Sequence, residues 1–192
     1  MSRHPFAVRL LLFSTLSWAL SSCSLFKNSS SSELSSSPSR PPSTYGVKSD
    51  KPSSTNSKAT MRYRYSIVDE AERYLNTPYK YAGRTPQSGF DCSGFTQYVL
   101  LQRDIAISPA SYLQSQEGEE IPLDQVKPGD LIFFGENNKV SHVAMVYERS
   151  TKGIICIHST TSKGVIKDNI STSSYWKPKI LFARDVISSK LN

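Results

Sequence analysis

Cysteine is scarce in this sequence, and extended apolar runs are nearly absent. Three Cys among 192 residues exclude a disulfide-dense miniprotein, and a hydrophobic content of 38% excludes a multi-span membrane protein. With 11 Pro, 9 Gly and no internal repeat, the chain is neither collagen-like nor a coiled coil. The length suits one ordinary domain with room for a small second one. These totals bound the class of protein, so the function has to come from local residues.

Positive charge is in clear excess only in the N-terminal third. The net charge is +7, yet residues 61–192 hold 16 Lys and Arg against 14 Asp and Glu. A nucleic-acid-binding domain concentrates its basic side chains on the folded part of the chain. We therefore expect no nucleic-acid partner.

The first 22 residues have the pattern of an export signal. Two arginines and no acid precede an apolar run of 11 at residues 10–20, LLLFSTLSWAL. That run suits a signal-peptide core and is too short to cross a bilayer of roughly 30 Å as a helix. Two serines then precede Cys23, which resembles a bacterial lipoprotein cleavage site. Residues 1–22 are therefore predicted to be removed, leaving an acylated Cys23. An ordinary secretory signal with a chance cysteine is the alternative.

An acylated Cys23 would fix the location of the protein. Acyl chains, palmitate among them, would hold the chain on a membrane, because each buried methylene contributes about 0.8 kcal/mol. Ser24 rather than Asp follows the cysteine, which resembles the outer-membrane lipoproteins of diderm bacteria. We expect a lipid-anchored protein of the cell envelope, at the outer membrane and facing the periplasm.

The next segment has the composition of a tether. Residues 24–60 contain 14 Ser and four Pro and almost no large apolar side chains. Such a segment cannot bury enough surface to offset its ordering entropy. Residues 23–60 are therefore predicted to be the lipidated cysteine plus a disordered tether, whose r.m.s. span is about 35 Å.

Residues 61–192 are predicted to fold as an α+β domain with helices first and strands after them. Apolar spacing predicts a helix over residues 66–75 with Ser66 as its cap, then a loop over residues 79–91. A second helix begins at or just after Cys92. A short helix is predicted over residues 108–116, with Ser108 as cap and Pro109 at its first position. The strands of an antiparallel sheet are predicted at residues 130–134, 142–147, 154–158, 164–167 and 179–183.

Cys92 and two histidines are the candidate catalytic residues. The start of a helix favours a thiolate by roughly 0.3–2 kcal/mol, which would leave the Cys92 thiol only partly ionised at neutral pH. A histidine partner would complete the activation, and the backbone N–H of Cys92 could help to bind an oxyanion. His142 opens one predicted strand and His158 closes the next. If both lie on one side of the sheet, His158 can orient the ring of His142.

Three other roles are open for these residues. A buried cysteine is often a packing residue, and a histidine at a strand end is often only a polar residue at the sheet margin. Zinc binding by Cys92, His142, Cys156 and His158 is conceivable, although no two of them form a tight ligand pair. A disulfide between Cys92 and Cys156 would fit an oxidising compartment, but it would silence an enzyme, so core packing of Cys156 is favoured.

Four short motifs decide between these roles. In chain order they are Pro78-Tyr79, Phe90-Asp91-Cys92-Ser93-Gly94-Phe95, Pro128-Gly129-Asp130-Leu131 and Ser141-His142-Val143-Ala144-Met145. Together they resemble the NlpC-type cell-wall endopeptidases, papain-like cysteine peptidases of bacteria, over about residues 66–170. His158 stands where the family's third polar residue is expected. Ala82-Gly83 replaces the Gly-Gly that the family often has after the loop that contains the tyrosine, here Tyr79.

The resemblance implies a papain-like fold and a role for each matching residue. Cys92 would be the nucleophile, His142 the general base and His158 the orienting residue. Tyr79 would place its hydroxyl near the nucleophile and help the oxyanion. Asp91 and Ser93 would support the site or contact the stem peptide.

The implied function is hydrolysis of peptidoglycan stem peptides, by a monomer that needs no metal or cofactor. The bond would be either γ-D-glutamyl–diaminopimelate or D-alanyl–diaminopimelate. A single tethered domain is similar to the envelope lipoproteins that act on intact peptidoglycan. Two other classes stay open: an acyl- or amidotransferase on the same scaffold, and a non-catalytic wall-binding lipoprotein.

Overall fold

The consecutive apolar runs of the C-terminal half form one antiparallel sheet in the computed structural model, which describes residues 54–191. The helices are α1 (Ser54–Glu72), α2 (Cys92–Leu101) and α3 (Ser111–Gln114). The strands are β1 (Arg84–Thr85), β2 (Gly89–Phe90), β3 (Glu119–Ile121), β4 (Leu131–Glu136), β5 (Lys139–Ser150), β6 (Gly153–Thr160), β7 (Gly164–Asn169) and β8 (Ile180–Asp185). Short 3-10 turns lie at Leu123–Gln125, Lys177–Lys179 and Ser188–Lys190. Within residues 54–191, no helix is both long and apolar enough to cross a membrane.

The large sheet has the strand order β3-β8-β4-β5-β6-β7, and each neighbouring pair is antiparallel. The predicted α+β class is thus confirmed, and all five predicted strands are present. β1 and β2 form a separate two-stranded ribbon just before α2. Edge strand β3 was not predicted, because Glu119 and Glu120 are polar and exposed and leave no apolar alternation to detect.

Apolar side chains fill both faces of the sheet. Helices α1 and α2 cover one face, where Ile67 and Phe95 join Phe133, Val143 and Ile157 in the first core cluster. The second cluster lies on the opposite face of the sheet. There, residues of the connecting loops pack against the strand side chains that point away from the helices. Its members include Ile132, Phe134, Ala144, Val146, Cys156 and Trp176. The period-two alternation of β4, β5 and β6 therefore serves two cores at once.

Helix α1 begins 12 residues earlier than the predicted cap at Ser66. Ser66 lies within the helix, and its hydroxyl donates to the carbonyl of Tyr63 instead of capping an N-terminus. The extra turns are anchored because Arg64 is buried and Tyr63 donates a hydrogen bond to the carbonyl of Arg103. Residues 54–60, assigned from composition to the tether, are therefore helical.

The third helix is shorter than its sequence pattern indicates. It spans only Ser111–Gln114, with Ala110 rather than Ser108 at the N-cap position and no side-chain cap. The backbone N–H of Ser108 is bound by the Glu117 carboxylate, and its carbonyl accepts from the Gln114 amide. These long-range bonds hold the segment around Pro109 outside the helix.

The loop before α2 packs against the first turn of that helix with no room to spare. A Cβ at Gly94 would lie 2.1 Å from the carbonyl oxygen of Gly83. Ala82, which replaces a glycine of the expected pattern, adopts a left-handed φ of 55°. An L-residue accepts that conformation at a cost of roughly 1–2 kcal/mol. The Gly83–Gly94 contact thus fixes the loop that carries Tyr79 against the start of α2.

A buried cation ties α1 to one end of the sheet, where β4 begins beside the end of β8. Arg64 is fully buried, and its guanidinium donates to Asp130 at 2.6 Å and to Asp185 at 2.5 Å. It also donates to the carbonyl of Pro128 and to the Ser188 hydroxyl. Removing one partner from such a network leaves the other charges buried and unpaired, which typically costs about 3–5 kcal/mol.

We expect Arg64→Met to lower the free energy of unfolding by about 3–5 kcal/mol, because two buried carboxylates lose their counter-ion. Urea denaturation followed by circular dichroism measures this difference. The matched control is Arg62→Met on the same helix, where the side chain is exposed. Equal urea midpoints for the two variants would contradict the assignment.

Candidate active site

A cleft of about 540 Å³ opens where the start of α2 meets the ends of β5 and β6. Cys92 and His142 both line it, together with Tyr79 and Ser159. The sequence therefore identified residues that the fold brings together from three separate segments. The cleft is the place where a substrate can meet the thiol and the imidazole at once.

Asp91 and Ser159 position Cys92. Asp91 is the N-cap of α2, and its carboxylate accepts from the backbone N–H of Gly94 at 2.6 Å. Ser159, at the end of β6, donates to the carbonyl of Phe90 at 2.8 Å. These two bonds hold the residues before the cysteine and start the helix at Cys92, as the sequence predicted. The sulfur thus lies at the positive end of the helix dipole.

Burial governs the ionisation of the Cys92 thiol. It raises the pKa of Cys92, while backbone hydrogen bonds from Val143, Ser93 and Cys92 itself oppose the shift and the Asp91 carboxylate adds to it. The helix terminus alone was expected to leave the thiol partly ionised, but desolvation outweighs it. Burial therefore favours the neutral thiol of Cys92 over its thiolate.

His142 and His158 are joined by a hydrogen bond between Nε2 of the first and Nδ1 of the second, at 2.9 Å. His142 lies opposite Phe134 on β4, near the start of β5. The pairing of β5 with β6 begins at Met145↔Ile157, beyond both histidines. The two rings therefore lie where β5 and β6 are no longer paired with each other. Both are on the same side of the sheet, as is required for His158 to orient His142.

Both imidazoles are neutral at physiological pH. Burial lowers the pKa of His142 to about 3, with a further contribution from His158. Burial also lowers the pKa of His158 to about 4, although the charge of Asp168 acts in the opposite direction. Since Nε2 of His142 is engaged by His158, Nδ1 is the nitrogen available to accept the proton of Cys92. The expected orienting role of His158 fits this geometry.

Trp176 covers the histidine pair and was not predicted from the sequence. Its ring stacks on His142 with centroids 4.6 Å apart and planes 25° apart, and it meets His158 edge-on at 4.9 Å. It also packs edge-on against Phe134. The indole thereby covers one face of the His142 ring and restricts its tilt, while His142 still lines the cleft.

Tyr79 is half-buried and lines the cleft beside the cysteine. An isolated bridge pairs it with Phe90, the residue two before Cys92. Burial raises the pKa of Tyr79, and the charges of Cys92 and Asp91 raise it further. The phenol therefore keeps its proton at neutral pH and can donate it as a hydrogen bond.

Asp91 and Ser93 are placed as supporting residues. The Asp91 carboxylate is occupied by the Gly94 N–H and by the Ser93 hydroxyl, which donates to it at 3.2 Å. The Ser93 side chain is buried, and neither residue lines the cleft. Of the two roles that the sequence left open, this geometry favours support of the site over contact with a peptide.

The other sulfur chemistry considered for the site does not match the geometry. Cys92 and Cys156 are both free thiols, and Cys156 is fully buried in the second core cluster. Core packing is thus the role that the structure gives Cys156. Among residues 54–191, no group of three or more His, Cys, Asp or Glu is placed to hold a metal ion.

Several other residues of the cleft gave no signal in the sequence. Lys163 lies in the turn between β6 and β7, and Lys179 ends the 3-10 turn beyond Trp176. Lys179 pairs with Glu136 and lies over the Tyr175 ring at 4.1 Å. All of these positions are in loops, where no periodicity indicates which way a side chain points. Asp168 alone was within reach of prediction, because its strand pairs with that of His158.

Known proteins share this arrangement. The sequence profile of the NlpC/P60 family matches residues 76–185. Over 120 residues the chain is 38% identical to gamma-DL-glutamyl hydrolase of Bacillus subtilis strain 168, covering 62% of this chain and 29% of that protein. Over 123 residues it is 33% identical to "Probable endopeptidase NlpC" of Escherichia coli K12, covering 62% of this chain and 76% of that protein.

The solved NlpC/p60 domain of the peptidoglycan hydrolase SagA has the same fold. It superposes with a TM-score of 0.54 at 33% identity, covering 64% of this chain and 97% of that one. This likeness confirms the papain-like α+β fold. The chain spans less than a third of the length of several curated relatives that it matches. Because the family profile covers more than half of its residues, the chain belongs to the NlpC/P60 family.

Proposed function

We propose that this chain is a lipid-anchored peptidoglycan endopeptidase with Cys92 as its nucleophile. The observation that carries the proposal is the cleft that Cys92 and His142 line together, with His158 bonded to His142 at 2.9 Å. A thiol, a neutral imidazole and an orienting partner are the groups that cysteine acyl transfer needs. The names of the relatives, an endopeptidase, a peptidoglycan hydrolase and a γ-glutamyl hydrolase, support the substrate class.

Acylation begins with a proton transfer inside the cleft. Nδ1 of His142 takes the proton of Cys92, and the sulfur attacks the carbonyl carbon of the scissile amide. Negative charge develops on the former carbonyl oxygen, where the backbone N–H of Cys92 and the Tyr79 hydroxyl can donate to it. The His142 imidazolium then gives its proton to the leaving amine, and a thioester remains on Cys92.

Deacylation reuses the same imidazole. Nδ1 of His142 removes a proton from a water molecule, which attacks the thioester carbonyl and releases a carboxylic acid. The proton returns to the sulfur, so the resting thiol and neutral imidazole are restored. Trp176 stacks on His142 throughout and holds the ring in place.

The γ-D-glutamyl–diaminopimelate bond is the one that we propose is cleaved. The 38% identical relative is named as a γ-DL-glutamyl hydrolase, which supports a γ-linked glutamate on the acyl side. Lys163 lines the cleft, and its ammonium group can attract a free carboxylate that flanks this bond in a stem peptide. The D-alanyl–diaminopimelate bond is the other candidate, and fragment masses separate the two.

The cell envelope is the location that we propose. Support comes from the apolar run at residues 10–20 and the serine pair before Cys23, both of which lie outside the described residues. An anchor of several acyl chains would keep the domain beside the wall that it cleaves. We propose that it acts there as a monomer, because one chain supplies every catalytic side chain named above.

We expect the full-length chain in detergent, under reducing conditions, to release fragments from purified peptidoglycan with a new diaminopimelate amine. Cys92→Ala should release none, because the nucleophile is lost. Mass spectrometry of the soluble products identifies the bond. The matched control is Cys23→Ala, which should digest at the wild-type rate because this cysteine takes no part in the chemistry.

Each contrary outcome of this digestion points to a specific rival. Products joined to an added amine, instead of free carboxyl ends, would identify an acyltransferase. No products from any peptidoglycan, with the fold intact, would identify a wall-binding protein. Equal digestion by Cys92→Ala would refute Cys92 as nucleophile.

Cys92→Ala and Cys23→Ala also test the anchor. In cells fed an alkyne analogue of palmitate, we expect label on the wild type and on Cys92→Ala but not on Cys23→Ala. The Cys23→Ala chain should also leave the membrane fraction, because it has lost its acyl chains. Full labelling of Cys23→Ala would overturn the lipoprotein assignment.

The rate at which iodoacetamide alkylates Cys92 should still be increasing above pH 9 as the pH is raised. Burial raises the pKa of this thiol and lowers the pKa of His142 to about 3, so the resting pair is uncharged at neutral pH. Mass spectrometry of the peptide that contains Cys92 measures the rate at each pH. A fast plateau between pH 5 and 8 would instead indicate a preformed thiolate–imidazolium pair.

A further inference from the structure

His158 has one buried nitrogen without a partner. Its side chain is fully buried, and its Nδ1 lies 2.9 Å from Nε2 of His142. Within the described part of the chain, Nε2 of His158 has no hydrogen-bond partner. A buried polar group left in that state costs about 1–3 kcal/mol.

The chemistry of the cleft determines which nitrogens carry hydrogen. His142 must present a lone pair at Nδ1 to take the proton of Cys92, so its own hydrogen is on Nε2. That N–H then donates to Nδ1 of His158. A neutral His158 consequently carries its hydrogen on Nε2, the nitrogen that has no acceptor. The reactive arrangement of the pair therefore needs an acceptor beyond His158.

Asp168 is the acid placed to be that acceptor. In the β6–β7 register Cys156 is opposite Asp168 and His158 is opposite Ile166, so Asp168 and His158 are diagonal neighbours on one face. Diagonal pairs in an antiparallel sheet lie about 7–8 Å apart between Cα atoms, within reach of long side chains. Asp168 is half-buried and lines the cleft, and its charge raises the pKa of His158.

We propose that Asp168 is a positioning residue that extends the catalytic series to Cys92, His142, His158 and Asp168. Its carboxylate accepts the Nε2–H of His158, by rotating its side chain towards the ring or through one bridging water. The acceptor fixes the tautomer of His158, and through Nδ1 of His158 it fixes that of His142. Its negative charge also stabilises the imidazolium that forms on His142 during acylation.

The proton inventory of this series is simple. One proton moves from the sulfur of Cys92 to Nδ1 of His142 and later to the leaving amine. The hydrogens on Nε2 of His142 and on Nε2 of His158 stay where they are, and Asp168 remains ionised. Besides Asp168, the ionisable groups that face His158 are His142 from β5 and Cys156 from its own strand. Others at the same cleft are Tyr79, Cys92, Lys163, Tyr175 and Lys179.

The inference rests on the proposed function, because the tautomers follow from the need of His142 to accept the proton of Cys92. The tautomer itself can be measured in the resting protein. Long-range 15N–1H NMR of the histidine-labelled full-length chain reads the tautomer without substrate. We expect the hydrogen of His158 on Nε2 in the wild type and in Asp168→Asn, whose amide oxygen can still accept. Asp168→Leu should move a large share of it to Nδ1. An unchanged tautomer in Asp168→Leu would overturn the proposal.

Iodoacetamide alkylation of Cys92 at pH 7 tests the charge, again without substrate. Asp168→Asn keeps an acceptor but loses the charge, so we expect the rate to fall about tenfold, with partial recovery in Asp168→Glu. Asp124→Asn is the matched control, since that side chain is exposed in a 3-10 turn and does not line the cleft. Equal rates for Asp168→Asn and the wild type would overturn the electrostatic role.

Peptidoglycan digestion completes the design. Asp168→Asn should lower kcat with little change in KM, because a positioning residue acts on the reacting groups and not on substrate affinity. If the wild type digests nothing while both substrate-free measurements respond as expected, the proposed function fails and the role of Asp168 stands. If the wild type digests peptidoglycan but the Asp168 variants change neither the tautomer nor the alkylation rate, the proposed function stands and the role of Asp168 fails.

Discussion

The hydrogen bond between the two histidines is the interaction on which the site depends. It engages Nε2 of His142 and so determines which nitrogen faces the nucleophile. His158 is buried and His142 is half-buried under Trp176, and the pair is held by this hydrogen bond and ring packing without a charge. Desolvation lowers the pKa of His142 to about 3, so the ring is uncharged at neutral pH.

Close packing around the bond sets the position of the nucleophile with respect to that base. The loop carrying Tyr79 approaches α2 so closely that Gly94 has no space for a side chain, and Ser159 ties the end of β6 to Phe90. The loop, the helix and the sheet are therefore in direct contact around the cleft. A displacement of about 1 Å in such a site can cost 100-fold in rate, so these contacts matter although none touches a substrate.

Local pattern predicted the parts of the fold that local pattern controls. Alternating apolar residues gave the five longer strands, and helical spacing of apolar residues gave the start of α2, because both depend on neighbours in the chain. The start of α1 was missed because the anchor of its early turns is Arg64, whose carboxylate partners Asp130 and Asp185 are distant in sequence. The predicted length of α3 was too great because the side chains of Glu117 and Gln114 bind the backbone N–H and carbonyl of Ser108, which therefore do not join the helix.

The candidate site divides in the same way. Cys92, His142 and His158 became candidates because each is at the end of a predicted element and matches a motif position of the NlpC-type resemblance. Trp176 was not, since it belongs to a connection without periodicity and reaches the histidines only through the tertiary fold. The raised pKa of Cys92 was also beyond prediction, because burial depends on what the whole chain places around the sulfur.

The burial of Cys156 bears on how an oxidised Cys92 could be reduced. A catalytic thiol that is oxidised to a sulfenic acid can be rescued within the molecule only by a second thiol that reaches it. Cys156 is sealed in the core on the face of the sheet opposite α2, so it cannot serve as that resolving partner. Among residues 54–191 no second thiol is placed to resolve an oxidised Cys92, so within this part of the chain its recovery requires an external reductant.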